Sequence, residues 1–338
     1  MSGAAPPTIS VLLPFRNGAS TLAAAIESIC AQTCTEWELL LFDDGSEDDA
    51  DAVAADFAAR DARIRVVARE RVGIVAALQR LSSEARGEFI ARMDGDDVSR
   101  PARFERQLAL LRGDESIALC GCLVEGIGAE LREGGARYYE WINSLSAPKD
   151  IEREMFVECP IAHPTFLMRR SEFEAAGGYQ EHGWAEDYDL VLRLWGRGAR
   201  MANVAEPLLQ WRNAATRLSM TDARYSLEQF RRLKRHYIEE HVLPNIGNRR
   251  FVQWGAGEVG KRWLREWGSV RPEGVVDIHP RKIGTKIHGY RVIAMDELPL
   301  PGDVYILIAV GAPGAREEIR AWLIPRGYRE VNDYRFIA

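Results

Sequence analysis

Two rhythms of apolar residues alternate through the first hundred positions. Compact apolar runs at Ile9–Leu13, Trp37–Phe42, Ile64–Val67 and Phe89–Met93 have the length and continuity of buried strands. Between them, Leu22, Ile26 and Ile29 recur at helical spacing behind Ser20 or Thr21 as caps, an alanine-rich helix is predicted over Asp48–Ala59, and another over Val75–Leu81. Strand, loop, helix, strand in this order predicts a parallel sheet covered by helices, an α/β fold.

After Pro101 the pattern changes. It predicts a helix over Ala102–Leu111, a strand around Ile117–Val124, an irregular stretch containing Tyr138, Tyr139 and Trp141, and helices over Ser171–Ala176 and Tyr188–Trp195. Arg224–His241 reads as a long basic amphipathic helix, and Pro244–Asn248 as a break. A second alternating unit follows: strand Phe251–Trp254, a glycine-rich turn, a helix to Trp267, and strands Val275–Ile278 and Val304–Val310. The expected organisation is a first domain over 1–222, a basic helical connector over 223–248 and a small Rossmann-like domain over 249–338.

Length and composition agree with two folded domains: 338 residues, 46% apolar and 28% charged, leave no disordered class to explain. A formal charge of −6 argues against a surface that binds nucleic acid everywhere, while leaving room for a local basic face. The five cysteines lack the paired spacing of a zinc or redox site and read as small core hydrophobes. No leader pattern opens the sequence, and Val304–Val310 is too short to cross a bilayer, so a reducing cytoplasm is the expected compartment.

Two acidic clusters, Asp43-Asp44 and Asp94-Gly95-Asp96-Asp97, directly follow predicted strands and should share one edge of the sheet. That edge, at the carboxyl ends of parallel strands, is where ligands collect in such folds. Carboxylates one residue apart can share a hard divalent cation, Mg²⁺ or Mn²⁺, with phosphate oxygens. Alone, the string is weak evidence and reads first as a solvated acidic turn.

The wider context resembles the inverting family 2 glycosyltransferases. The resemblance is carried by Val11-Leu12-Leu13-Pro14-Phe15-Arg16-Asn17, Phe42-Asp43-Asp44-Gly45-Ser46, Ala91-Arg92-Met93-Asp94-Gly95-Asp96-Asp97 with Pro101, and then His163-Pro164-Thr165, Gly177-Gly178-Tyr179 and Glu186-Asp187-Tyr188-Asp189-Leu190. It spans roughly the first two-thirds of the chain. It implies a GT-A nucleotide-diphospho-sugar transferase domain using a UDP-sugar and Mn²⁺ or Mg²⁺. Asp44 would accept from the base, Asp94 and Asp96 would serve ribose, diphosphate and metal, and Pro14, Arg16, Asn17 and Arg92 would line the donor pocket. Of the adjacent carboxylates Asp43 and Asp97, each is either a ligand or a loop cap. Asp187 is the expected base for the acceptor hydroxyl, with Glu186 orienting it or binding acceptor, although acidic residues also suit the first turn of a helix. His163 positions donor or acceptor, or bonds a loop; Trp184 stacks on a sugar or packs. Ala214 stands where many members carry a histidine after an aromatic-Arg-x string, and Arg212 or Arg217 would supply compensating charge.

The turn Gly255-Ala256-Gly257-Glu258-Val259-Gly260, with Asp277 downstream, has the spacing of a dinucleotide-binding turn and keeps an NAD-dependent oxidoreductase as a rival. The alternative is an acceptor-binding or homo-oligomerising module. A non-catalytic nucleotide-sugar-binding protein is the remaining reading. The layout also resembles the animal queuosine-tRNA galactosyltransferase group through Arg137-Tyr138, Trp141-Ile142-Asn143, Glu186-Asp187 and Ala256-Gly257 with Gly260 and Arg262. That resemblance implies a tRNA acceptor contacted by Arg231, Arg232, Lys234, Arg235, Arg249 and Arg250; the broader family implies a glycan or lipid-linked oligosaccharide.

Overall fold

The computed structural model describes residues 6–128, 133–213, 217–268 and 270–338. The chain divides into two compact units: Met1–Ile151 with Ile161–Asp222, and Glu152–Pro160 with Ala223–Ala338. This corrects the expected domains in two places. Residues 152–160 group with the second unit, and the connector 223–248 is part of that unit.

The first unit is an eight-stranded sheet made of β1 (Ile9–Phe15), β2 (Trp37–Asp43), β3 (Ile64–Arg69), β4 (Phe89–Arg92), β5 (Val98–Ser99), β6 (Ile117–Gly128), β7 (Leu167–Arg169) and β8 (Arg200–Asn213), ordered β3-β2-β1-β4-β7-β6-β8-β5. Every residue of β1 and β2 is buried, as expected for parallel strands covered on both faces. The helix Leu22–Cys30 lays Leu22, Ala25, Ile26 and Ile29 on the same core.

The all-parallel expectation holds for β3-β2-β1-β4 and for β6 beside β8, and fails at β7 and at the edge pair β5 with β8. β7 pairs antiparallel with both β4 and β6, with Leu167 opposite Ala91 and Arg169 opposite Phe89. The reason is where the chain enters: β7 starts beside the carboxyl end of β4, straight out of the turn His163–Thr165, and can only run away from that edge. This return delivers His163 to the acidic edge. The stretch expected to be irregular is instead a helix, Glu133–Asn143, which buries Tyr139 and Ile142 in the core.

The second unit holds β9 (Arg250–Trp254), β10 (Gly274–Val276), β11 (Lys286–Ile287), β12 (Tyr290–Ile293), β13 (Val304–Ile308) and β14 (Tyr334–Phe336), ordered β11-β12-β10-β9-β13-β14 and parallel except for β11 against β12. Gly255 has φ +111°, and a Cβ there would meet the Ala309 carbonyl oxygen at 2.6 Å; one on Gly260 would lie 1.9 Å from the Gly255 oxygen. These glycines serve strand-helix packing. Asp277 does not present an open ribose-binding carboxylate: it accepts from the Ala256 N–H at 2.9 Å, the His279 N–H at 2.8 Å and Lys282 Nζ at 3.0 Å, closing the turn on itself.

The basic helix, Leu227–Tyr237 and capped by Ser226, is committed within this unit. Lys234 is buried and donates to the carbonyls of Val157 (3.1 Å) and Ile337 (2.8 Å). Arg231 pairs with Glu266 at 2.9 Å, Arg235 donates to the Glu266 carbonyl, and Arg249 reaches Asp333 at 3.3 Å and the Asn332 carbonyl. Of the six residues expected to meet phosphate, Arg232 and Arg250 remain exposed.

Candidate functional site

The acidic edge is built by three strand ends. β1 ends at Phe15 and passes into Arg16 and Asn17, whose φ of 52° is left-handed. Asn17 accepts from the Glu47 N–H at 2.8 Å through its side chain and donates its own N–H to Ser46 Oγ, tying the first loop to the second. Arg16 pairs with Glu47 at 3.2 Å on the surface, and Pro14 is buried within β1. In the second loop the adjacent carboxylates divide their work. Asp43 is buried and accepts from the Ser46 N–H at 2.7 Å, which makes it a loop cap. Asp44 accepts from the N–H groups of Val72 and Gly73, each at 2.7 Å, and meets Arg71 at 2.5 Å. It therefore fixes the loop after β3 as well as facing the edge.

The third strand end carries Arg92, Asp94, Asp96 and Asp97. One carboxylate oxygen from each of the three aspartates lies within 4.8 Å of the others. Crowding shows in their protonation. Burial first, then Asp94, pushes the Asp96 carboxyl up to about 6, with Arg217 opposing. Burial, then Asp94 and Asp96, raise Asp97 well above its ordinary range. Asp97 Oδ1 accepts from the Arg212 N–H at 2.7 Å because β5, immediately after it, pairs with β8, while its buried Oδ2 has no hydrogen-bond partner. Three crowded, all-oxygen ligands with a buried orphan oxygen fit a hard divalent cation. Ala214 lies outside the described residues.

Arg92 joins this cluster to the downstream motifs. It is buried and bonds Asp94 and the Met93 carbonyl. Burial alone would weaken its charge, but Asp94, Tyr179 and Glu186 outweigh that and raise its pKa. Around it, His163 Nε2 meets the Tyr179 hydroxyl at 2.9 Å and Nδ1 lies 3.9 Å from Glu186. Burial, and next Arg92, hold His163 well below its usual range, so the imidazole is neutral and this last contact is no ion pair. Glu186 and Asp187 open the helix Glu186–Gly196; Glu186 is 2% exposed, whereas Asp187 is only half-buried and accepts from the Tyr188 N–H. Trp184 is half-buried and donates Nε1 to Asp189 at 2.9 Å, and Asp189 holds Arg193 at 2.8 Å. Its ring is thus oriented by its polar end.

Sequence reasoning missed residues that hold this arrangement from beneath. Fully buried Arg103 donates to the carbonyls of Arg92 (2.9 Å) and Pro164 (3.0 Å), and Gln107 donates to that of Thr165 (2.7 Å). Their signal was present: two polar residues four apart on the apolar face of the helix Arg103–Gly113. Tyr179 was visible only as part of a motif.

The family description "Glycosyl transferase family 2" matches residues 10–176. EpsE of Bacillus subtilis, a glycosyltransferase by assignment, is 32% identical over 229 residues, covering 66% of this chain and 79% of its own. The amylovoran biosynthesis glycosyltransferase AmsE of Erwinia amylovora is 29% identical over 60% of this chain and 75% of its own. Among solved structures, S. aureus TarS in complex with UDP-GlcNAc superposes with a TM-score of 0.55 at 17% identity, over 69% of this chain and 66% of that one.

Proposed function

The chain belongs to glycosyl transferase family 2, nucleotide-sugar-dependent transferases, and from that premise we propose that it moves a hexose from a UDP-sugar to a glycan or lipid-linked acceptor hydroxyl by inverting single displacement. The observation that carries this reading is the convergence, around buried Arg92, of Asp94 from the metal-type cluster with Tyr179 and Glu186 from the downstream motifs. Asp94, Asp96 and Asp97 would hold Mn²⁺ or Mg²⁺, which neutralises charge on the departing diphosphate when bound. A solved structure of similar fold, the mannosyltransferase PcManGT of Pyrobaculum calidifontis, was determined with GDP-Man and Mn²⁺.

Asp187 is the proposed base. Glu186 beside it is buried against neutral His163, so Asp187 is the member of the pair with access to an incoming hydroxyl. In the transfer, the acceptor oxygen forms its bond to the anomeric carbon, the bond from that carbon to the diphosphate oxygen breaks, and the hydroxyl proton passes to Asp187. The base-binding role falls to Asp44, which keeps acceptor capacity beyond the Arg71–Gly73 loop it anchors.

A carbohydrate acceptor is favoured over tRNA on two grounds. Relatives include proteins named for amylovoran and O-antigen biosynthesis. Four of the six basic side chains that a tRNA would need are engaged inside the second unit. The test is calorimetry with UDP and Mn²⁺ followed by a transfer assay. Asp44→Ala and Asp96→Ala should lose metal-dependent UDP binding, and Asp187→Asn should keep it while transfer falls about 10²–10⁴-fold. Undiminished transfer by Asp187→Asn would place the base elsewhere, and product on bulk tRNA alone would reverse the acceptor assignment.

A further inference from the structure

β4 and the chain that enters β7 diverge where the proposed site begins. The ladder between them runs through Ala91 opposite Leu167 to the Arg92 N–H, which donates to the Phe166 carbonyl at 2.9 Å. Beyond that bond, the carbonyls of Arg92 and Pro164 are both acceptors and cannot pair with each other. Arg103 fills the gap. It is 0% exposed, Nη2 donates to the Arg92 carbonyl at 2.9 Å and Nη1 to the Pro164 carbonyl at 3.0 Å, with the Met93 sulfur 3.5 Å from Nη1. One turn along the same helix, Gln107 donates Nε2 to the Thr165 carbonyl at 2.7 Å and to that of Cys120 at 3.3 Å. A guanidinium buried against carbonyls rather than a carboxylate costs more stability than an apolar side chain of the same volume. What it supplies instead is a rigid planar fork, whose two nitrogens fix the spacing of the two carbonyls.

We infer that Arg103 is a positioning residue for the transfer step: it sets the span between the acidic cluster that follows β4 and the helix Glu186–Gly196 that carries the base, and leaves donor binding alone. The inference rests on the reading above of Asp187 as base and of the acidic cluster as donor side. Arg92 leads straight into Asp94 and Asp96. Pro164 follows His163, whose ring meets the Tyr179 hydroxyl at 2.9 Å and lies 3.9 Å from Glu186, the neighbour of Asp187. One guanidinium thus bridges the backbones from which both halves of the site extend. The donor side has ties of its own: Thr21 Oγ1 donates to the Gly95 carbonyl at 3.0 Å, and Asp97 accepts from the Arg212 N–H at 2.7 Å. A change at Arg103 therefore alters the relation between the halves before it alters the cluster.

The test uses the full chain, calorimetry with UDP and Mn²⁺, and UDP release from whichever of UDP-glucose, UDP-galactose and UDP-GlcNAc the wild type turns over. Arg103→Lys keeps the buried charge but not the fork: an ammonium bonds two carbonyls, as Lys234 does those of Val157 and Ile337, only from a single point. The variant should bind UDP with Mn²⁺ within about twofold of wild type while kcat falls about 10- to 100-fold, the effect of a misplacement on the order of 1 Å. Gln107→Met, which releases the Thr165 carbonyl without touching a charge, should show the same split with kcat down about fivefold. A merely structural arginine would weaken nucleotide binding and turnover together. Wild-type kcat in folded Arg103→Lys, or UDP affinity falling in step with kcat, overturns the inference. Where circular dichroism shows Arg103→Lys unfolded, Gln107→Met decides on the same two readouts. A wild type that neither binds UDP nor releases it from these donors overturns the donor reading, and this inference with it.

Discussion

Asp96 sits where its charge is costly, and the cost has a measurable signature. Its carboxyl is pushed from 3.8 up to about 6 by burial and by Asp94. An acid raised in the folded state favours its proton there, so this stability is full below the ordinary carboxylate value and is lost as the pH climbs through about 6. Asp96→Asn should therefore stabilise the free protein by about 1–3 kcal/mol at neutral pH and hardly at all near pH 4, read from denaturant midpoints at the two values. Equal gains at both would mean that the carboxylate is not strained. Mn²⁺ affinity of the wild type should fall as the pH drops through about 6, as Asp96 takes up its proton. The residues proposed for the donor site were legible because each follows a strand end: Asp44 after β2, Asp94 and Asp96 after β4. Those packed around them, Tyr179 and Arg103, were obscure. Their places come from the β7 return and from contacts distant in sequence, which no local pattern encodes.

At the scale of elements, compact apolar runs located the strands β1, β2, β4, β9 and β13, which apart from Arg250 are buried on both faces. They could not give strand direction at β7, since three residues carry no information about which end of the sheet the chain enters. The helix Glu133–Asn143 was hidden for another reason: Gly134 and Gly135 lower its propensity, and burial of Tyr139 and Ile142 overrides that. The glycine-rich turn after β9 separates packing from ligand binding. Gly260→Ala would set a methyl 1.9 Å from the Gly255 oxygen, whereas Gly257→Ala meets nothing within 4 Å. Thermal unfolding should show the first losing more than about 3 kcal/mol and the second staying within about 0.5 kcal/mol. A second unit indifferent to Gly260→Ala would contradict the packing role.

The whole molecule is not the string of contiguous domains that its sequence suggests, and the reason is electrostatic as well as apolar. Residues 152–160, enclosed in the sequence of the first unit, belong to the second. Met155 and Phe156 are each 1% exposed, Glu154 is buried between Arg316 and Arg320 at 2.6 Å from both, and Arg335 bonds Glu152. Arg320 in turn holds Glu330 at 2.8 Å. No composition shift marks this nine-residue excursion, so its partners are found only in three dimensions. Removing the Glu154 carboxylate takes an ion-pair partner from Arg316 and leaves Arg320 to Glu330; Glu154→Ala should cost about 2 kcal/mol, less than a wholly buried pair because Arg316 keeps part of its side chain in water. A chain cut after Asp222 removes every one of these partners, and with Arg335 the guanidinium that lies over the Phe156 ring. That truncation should bind a hydrophobic dye and aggregate. The same truncation with Met155 and Phe156 changed to Ser should stay dispersed, which light scattering distinguishes. If the unmodified 1–222 chain is monomeric and dye-silent, the segment does not depend on the second unit, and the contiguous boundary was right after all.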